Sequence, residues 1–577
     1  MTQAHPGPQF DITDIPFSSY GSWFDLSPIT AQGVREPDLH LVSHQTGMHA
    51  VLTLQPQREG VRTETRVHAT PSKLSWIDIE DERARIEVVY ETPERIRVRG
   101  QGLDLAVSSA MHVLTPFSGN YLYHDPVDDT YVFTSYETGR RYRVTSLAGS
   151  FAARGVQELG EAERTVTARG HGQPWEIAVE EYEAGRARYL PTNTFAQAAE
   201  HAATAVRSFT DQITPWRDAR TPAAELAAYV LWSATVAPAG FLHRPAVLMS
   251  KHWMDKVWSW DHCFNALALA EGQPDLAWDQ FRVMFDHQDP VGALPDSVTH
   301  SEVLYNFVKP PIHGWALSLL RRRLPTPPPE AELADIYRRL ELWTEYWLTH
   351  RRAPGSDLAH YHHGNDSGWD NATTFDQRRV MQSADLAAFL VLQMRELAEL
   401  AELIGKPDAA ARWTEGAKLM LDAMLTQLWD GRRFAARSTP DAVPYPTSSL
   451  LDLMPIVLGD LLPEPIHQAL ARRIEHHLTG HGLATEATDS PHYDPDGYWR
   501  GPIWAPATVL IEDGLRRAGH VRLADEISRR FRTLCENSGF AENFDALTGQ
   551  GLRDRAYTWT ASGYLLLAEA SERRGAR

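Results

Sequence analysis

Trp258-Ser-Trp-Asp261, Pro310-Pro-Ile-His-Gly-Trp315, Gln382-Ser-Ala-Asp385, Ser448-Ser-Leu-Leu-Asp452, Trp499-Arg-Gly-Pro-Ile-Trp504 and Trp559-Thr-Ala-Ser562 are six segments of one kind. Each is rich in Trp, Pro or Ser and opens an apolar helical stretch. An amphipathic, charged stretch separates most of them from the next. Six inner helices alternating with outer ones predict a closed ring of helical hairpins. Helix starts of one kind gather at one end of such a ring. There, aromatic planes and a few fixed polar groups make a site for a small polar ligand such as a sugar.

Upstream of the first segment the pattern changes. Arg85-Ile-Glu-Val-Val, Glu94-Arg-Ile-Arg-Val-Arg99, Tyr142-Arg-Val-Thr and Trp175-Glu-Ile-Ala-Val179 alternate with period two. Turn signals such as Gly100-Gln-Gly102 and Gly170-His-Gly172 separate runs of this kind. Short alternating strands without long helices predict an antiparallel β-sandwich. Each strand carries one charged face, and that face is expected to meet solvent. Phe195 to Ile213 has Ala and Val at helical spacing and stops at Thr214-Pro215, which reads as a linker helix. From Thr221-Pro-Ala-Ala-Glu onward the pattern is helical, with further starts at Pro327-Pro-Pro-Glu and Pro407-Asp-Ala-Ala. The expected organisation is a β-sandwich over 1–188, a helical linker over 189–219 and the helical ring over 220–577.

With 577 residues the chain exceeds the range of a single core, in keeping with that division. The net charge of −19 argues against nucleic acid or an anionic membrane as partner, since both are polyanions. Cys263 and Cys535 form no disulfide framework, and Cys263 reads as a small core residue. No run of 18 apolar residues occurs, and the opening Met-Thr-Gln-Ala-His-Pro lacks the basic and apolar regions of a secretory signal. A cytoplasmic location is therefore expected. There is no phosphate-cradling Gly loop, no Gly-x-Ser-x-Gly elbow and no His-Glu-x-x-His pair, so neither a cofactor nor a metal is expected.

Two polar loops interrupt the helices, at 351–381 and 537–558, ahead of the third and sixth inner helices. Long loops in a compact domain tend to be functional, and in a six-fold ring these two face each other across the mouth. The first holds Asn365-Asp-Ser-Gly-Trp-Asp-Asn371, the second Phe540-Ala-Glu-Asn-Phe-Asp545. Cleaving a glycosidic bond takes one carboxyl group to protonate the leaving oxygen and another as nucleophile or base. Asp370, beside Trp369, and Glu542, between Phe540 and Phe544, are the candidates, with Asp366, Asp376 and Asp545 as rivals. Asp-Asn pairs also favour turns, and Asp261 reads equally as a helix cap or as an acceptor for sugar hydroxyls. Trp258 or Trp260 offers a stacking plane. Arg500 suits a sugar hydroxyl or an adjacent carboxylate.

Trp258-Ser-Trp-Asp261, Pro310-Pro311, Gly368-Trp-Asp-Asn371, Tyr498-Trp-Arg-Gly-Pro-Ile-Trp504 and Glu542-Asn-Phe-Asp-Ala-Leu-Thr-Gly549, in that order, resemble the motif series of glycoside hydrolase family 63. The resemblance covers residues 220 to 577 and extends more distantly to the trehalases of family 37. It implies an (α/α)6 toroid and inversion at the anomeric centre, with Asp370 as general acid and Glu542 as general base. It implies sugar-binding positions at Trp258, Asp261, Tyr498, Arg500 and Trp504. Trp260, Lys309, His313 and Trp369 lie in the same motifs and join the expected substrate-binding set. Lys309 stands where many family members carry Gln. The β-part resembles that of the family's larger members, and the acceptor preference of its small glycerate-glycoside hydrolases is not carried over. The expected function is an inverting, exo-acting hydrolase of a terminal α-linked glucosyl or similar residue on a small saccharide or glycoside. A non-catalytic carbohydrate-binding toroid and a phosphorolytic relative are the alternatives.

Overall fold

Period-two alternation of apolar residues drives residues 24–182 into two large antiparallel sheets. In the computed structural model, which describes residues 7–575, one sheet has seven strands. Its order is Phe24–Ala31, Val34–Ser43, His49–Arg58, Asp104–Ser109, Thr165–Arg169 and Ser150–Arg154, with Val61–Arg62 beside His49–Arg58. The other has eight, ordered Asn120–Asp125, Thr130–Ser135, Arg141–Ala148, Trp175–Tyr182, Arg95–Gln101, Arg85–Thr92, Lys73–Asp78 and Thr65–Thr70. The sandwich-like sheets and helix α1 (Phe195–Ile213) form one compact unit, which runs to Gln212 and takes in Ala228–Asp255 and Thr299–Ser301.

The charged strand faces in this unit are not solvated as expected. Arg97, Arg143 and Glu180 are almost fully buried. Arg143 donates to Glu180 at 2.7 and 2.9 Å, to Asp128 at 2.8 Å and to the Ala187 carbonyl at 2.9 Å. Arg95 bonds Glu180 and Glu91, and Arg97 bonds Glu91, Glu176 and the Tyr189 hydroxyl. The segment after the last strand lies over this face through Ala187, Tyr189 and Asn193. Burial is tolerable because nearly every charge meets an opposite one or a carbonyl. Strand periodicity reports which residues share a face, not what later covers it.

The remaining chain forms the second unit, Ile213–Ala227, Lys256–Val298 and Glu302 onward. Helix α2 (Ala224–Ala234) begins three residues after Thr221 and straddles the boundary between the units. Then come α3 (Asp261–Leu269), α4 (Pro274–Arg282), α5 (His313–Arg323), α6 (Glu330–His350), α7 (Ala384–Leu403) and α8 (Pro407–Gln427). A 3₁₀ segment, Leu450–Leu461, precedes α9 (Glu464–His476), α10 (Ala505–Arg517), α11 (Val521–Ser538) and α12 (Thr558–Gly575). Five of the six signature segments lead into an α-helix. The fourth leads into the 3₁₀ segment, where Pro455 lacks an N–H to donate and Gly459 turns to a φ of 60°. Neighbour relations are simple. Helix α3 packs on α5, α5 on α7, α7 on Leu450–Leu461, that segment on α10, α10 on α12, and α12 on α3 again. Helices α4, α8, α9 and α11 each pack on a member of this cycle. Members of the cycle are buried almost all round, as in α7, where 15 of 20 residues are buried. The described helices include none long and apolar enough to cross a membrane.

Candidate active site

The acid-bearing loop is folded by its own short-range bonds. The His363 side chain accepts from the Asn365 N–H and caps a single 3₁₀ turn, Gly364–Ser367. Gly368 follows at φ +73°, and a Cβ there would sit 2.6 Å from the Trp260 ring, so both backbone shape and space demand glycine. Asp366 is buried and salt-bridged to Arg351 at 2.7 Å, and it accepts from the backbone N–H groups of Val308 and His362. Asn371 then ties this loop to the next signature. It donates to the Gly497 carbonyl at 3.0 Å, accepts from Trp499 N–H at 3.0 Å, and its carbonyl accepts from Arg500 at 2.7 Å. Arg500 also pairs with Asp376. Between the two readings of Arg500, the adjacent carboxylate is the one it meets.

Between these ties Tyr498 takes a left-handed φ of +64°, a strained conformation for a non-glycine residue that persists because its surroundings over-determine it. Its hydroxyl lies beside Glu542 and also feels the charge of Asp370. Burial and those two carboxylates push the phenol well above its ordinary range. The Arg553 guanidinium stacks over the Tyr498 ring, 5.0 Å from its centre. Glu542 is fixed by its backbone N–H to the Asp554 carbonyl at 2.7 Å, in a loop whose strand pair joins Asn543–Phe544 to Gly551–Leu552. Phe544 and Ile503 exchange backbone bonds at 2.7 and 3.1 Å, which anchors that loop beside the Trp499–Trp504 segment.

Five tryptophans make a continuous wall. Trp499 stacks on Trp504 with ring centres 4.1 Å apart and planes 5° off parallel. Trp369 meets Trp499 at 4.6 Å, while Trp559 meets Trp260 at 5.6 Å and Trp504 at 5.4 Å. All five are buried. Truncating one would open a cavity costing about 3–5 kcal/mol. Trp258 and Tyr498, by contrast, are partly exposed.

Carboxyl groups dominate the electrostatics. Asp261 is buried at the first turn of α3, and its Oδ2 has no hydrogen-bond partner among the described residues. Burial pushes its carboxyl well up; the Lys309 charge opposes the shift, while Asp296 and Asp370 add to it. Asp370 is also raised by burial and by Asp296, against Lys309 and His363. Glu542 is raised to about 8, by burial first and the charge of Asp554 second, with the Tyr498 hydroxyl and Arg553 pulling it down. Tyr557, buried at the start of α12, feels both Glu542 and Asp261. Asp261, Tyr557, Glu542, Tyr498, Asp370 and Lys309 thus form a closed circuit of electrostatic neighbours. Asp296, Arg553, Asp554 and Tyr557 join these neighbours without having been singled out in the sequence, while Asn371 stood in the Gly368-Trp-Asp-Asn371 motif with no role assigned to it. Of the four, Tyr557 alone had a signal available, since it sits two residues before Trp559 at an inner-helix start.

His313 lies outside the circuit. It is fully buried among Phe281, Phe285, His262 and Trp343, and burial keeps its imidazole well below the ordinary range. His262, Cys263 and His313 place one ligand atom each within 4.8 Å of one another. Their protonation does not suit a cation. Trp343 donates its N–H to His313 Nδ1 at 3.3 Å, so Nε2 of the neutral ring carries the proton and has no lone pair to offer.

A mannosylglycerate hydrolase of Rubrobacter radiotolerans is 26% identical over 397 residues, spanning 53% of this chain and 89% of that protein. Among solved structures, the family 63 mannosylglycerate hydrolase of Thermus thermophilus in complex with glucose aligns with a TM-score of 0.53 at 21% identity, over 59% of this chain and 99% of that one. A bacterial glucoamylase complexed with acarbose aligns with a TM-score of 0.61 at 11% identity, over 99% of this chain and 96% of that one, a likeness of fold alone. Residues 254–560 match the family model described as the mannosylglycerate hydrolase MGH1-like glycoside hydrolase domain, and the chain belongs to that family of glycoside hydrolases, within glycoside hydrolase family 63.

Proposed function

We propose that this chain is an inverting, exo-acting hydrolase built on an (α/α)6 toroid, which releases a terminal α-linked glucosyl or similar α-glycosyl residue from a small saccharide or glycoside. The closed cycle of helix neighbours supports the toroid. The observation that carries the reading is Tyr498, whose hydroxyl feels the charges of both Glu542 and Asp370. That shared neighbour supports a common space for two carboxyl groups from two distant loops.

Asp370 protonates the leaving oxygen as its bond to the anomeric carbon breaks. A water on the opposite face forms the new bond and gives its proton to Glu542. Inversion requires room for that water, hence carboxyl groups about 6.5–9.5 Å apart. Glu542 must be ionised to act, and its ordinary state in the empty site is protonated. Tyr498 and Arg553 both favour the charged form and are the groups that allow it. Asp261, an unpartnered buried acceptor, takes sugar hydroxyls, and Trp258 and Tyr498 present their partly exposed faces to the ring. The buried tryptophans hold these positions from behind.

Glu542 works in its ionised form at the place an attacking phosphate would have to occupy, which argues against phosphorolysis. The names of the relatives favour a second reading, an α-mannosyl or α-glucosyl glycerate. The test is a panel of α-glucosyl and α-mannosyl disaccharides together with glycosyl glycerates, followed by proton NMR. The β-anomer should be the first product seen. An α-anomer first would refute inversion, a sugar phosphate made only in the presence of phosphate would show phosphorolysis, and no turnover on any member would leave a binding protein.

A further inference from the structure

Lys309 comes from Phe307-Val-Lys-Pro-Pro311, just ahead of α5, and was expected among the sugar ligands. Its surroundings say otherwise. The ammonium donates to the Asn365 carbonyl at 2.9 Å, pairs with Asp296 Oδ1 at 3.2 Å and lies 3.9 Å from Asp370 Oδ1. The Asn365 carbonyl takes one of the ammonium's N–H donors, and the two carboxylates lie beside it as ion-pair neighbours. The Lys309 side chain is 7% exposed and that of Asp296 9%, against 29% for Asp370. Asp370 is therefore the more open of the two, with the lysine behind it. The preceding residue points the same way, since the Val308 N–H bonds Asp366 at 3.1 Å. Consecutive residues thus fasten one 3₁₀ turn of the acid-bearing loop, at Asn365 and Asp366.

We propose that Lys309, held by Asp296, is a positioning residue for Asp370 and sets the proton affinity of the acid rather than binding sugar. This rests on the reading of Asp370 as the general acid. The charged and titratable groups facing Asp370 are Lys309 and Asp296, Asp261 on α3, His363 within its own loop and Tyr498 from the opposite loop. Lys309 favours the ionised acid, and Asp296 favours the protonated one. The pair therefore sets two opposing charges against one proton, and removing either member should move that proton's affinity in opposite directions.

The experiment is a set of pH profiles of kcat/KM for Lys309→Gln, Lys309→Arg and Asp296→Asn, each on a natural α-glycoside and on the matching glycosyl fluoride. In Lys309→Gln one limb of the bell should move to higher pH by about one unit or more, the usual effect of losing an opposite charge at this range. In Asp296→Asn the same limb should move to lower pH, while the other limb stays in place in both. Lys309→Arg keeps the charge and should keep the limb. The natural substrate should lose about tenfold or more in kcat, as misplacement of a reacting group costs, and the fluoride, which needs no proton, far less. A raised KM with unmoved limbs and equal losses on both substrates would make Lys309 a sugar ligand and overturn the proposal. If Lys309→Gln does not fold, the opposite shift in Asp296→Asn decides alone. Asp370→Asn is the control for the parent reading: if it keeps full activity on the natural substrate, the acid assignment fails whatever Lys309 does.

Discussion

Asp370 and Glu542 both reach the site on polar loops that precede an inner helix, yet the leading charge beside one is a cation and beside the other an anion. Lys309 stands 3.9 Å from Asp370, and Asp370 remains 29% exposed. Glu542 is buried, with the charge of Asp554 beside it. The same chemical group is thus raised by burial in both loops, against Lys309 in one and against Arg553 and the Tyr498 hydroxyl in the other. A pair of carboxyl groups can divide acid and base work only if their surroundings differ, and here they do. The environments also hold a tension. Burial raises both groups, so the working state needs the surroundings of Glu542 to release its proton while those of Asp370 keep theirs.

The largest effects should come from deleting the two groups. Glu542→Gln should lose about 10³-fold or more in kcat on every substrate, because water activation is lost whatever departs. Asp370→Asn should lose comparably on natural glycosides and much less on aryl glycosides or glycosyl fluorides, whose leaving groups need no proton. Substrate binding by Asp370→Asn should stay near wild type. Equal losses of both variants on both substrate types would dissolve the difference between the two loops.

Next in size is Asp261→Asn. The variant keeps the shape of the side chain and replaces one carboxyl oxygen of a buried acceptor by an amide nitrogen. Leaving a buried partner unsatisfied costs about 1–3 kcal/mol, so kcat/KM should fall about 10- to 100-fold, with both KM and kcat affected. Kinetics close to wild type would reduce Asp261 to a helix-terminal charge and confine catalysis to the two long loops.

A third measurement isolates the base. In Asp370→Asn, assayed on a glycosyl fluoride, Glu542 is the only one of the two carboxyl groups left to titrate. It acts when ionised, so the rate should rise with pH through about 8 and then level, with no alkaline fall. A rise complete by about pH 5 would mean that Glu542 has an ordinary carboxylate affinity and that Asp554 does not act on it.

How far all this was legible before the fold differs between the loops as well. The motifs at the inner-helix starts could be read because helix entry has local chemistry, in Pro, Ser, Trp and spacing. Asp370 and Glu542 stood out because long polar loops interrupt an otherwise helical pattern. Asp296, Asp554 and Arg553 could not be read, since their roles come from packing between distant segments. Lys309 was visible in its motif but not its partners, which is why it read as a sugar ligand. The buried Arg143–Glu180 face is the same lesson in the β-unit, where alternation marks a face and only the 183–195 segment decides whether it is wet. In the fourth inner helix, Pro455 and Gly459 were readable as breakers, but the ring pattern overrode them.

The smallest effect is one of stability, and it has the same sign in both loops. Glu542 in the folded chain holds its proton up to about pH 8, against an ordinary glutamate value of 4.5. Below pH 4.5 both folded and unfolded chains are protonated, and the group contributes no pH dependence. Between 4.5 and about 8 the unfolded chain releases the proton while the folded chain keeps it, so stability falls as pH rises through that window. Above it both forms are ionised and the penalty is constant. Glu542→Gln has no proton to release. Its melting temperature relative to wild type should therefore change little below pH 4.5, climb through the window by on the order of a few °C, and level off above about pH 8. Calorimetry from about pH 4 to about pH 9, spanning both limits, checks this, and a constant offset at every pH would assign the effect to packing. Asp370→Asn should climb in the same direction, because burial raises Asp370 as well, against Lys309. No climb in that variant would show that the acid keeps an ordinary carboxylate affinity in the folded chain.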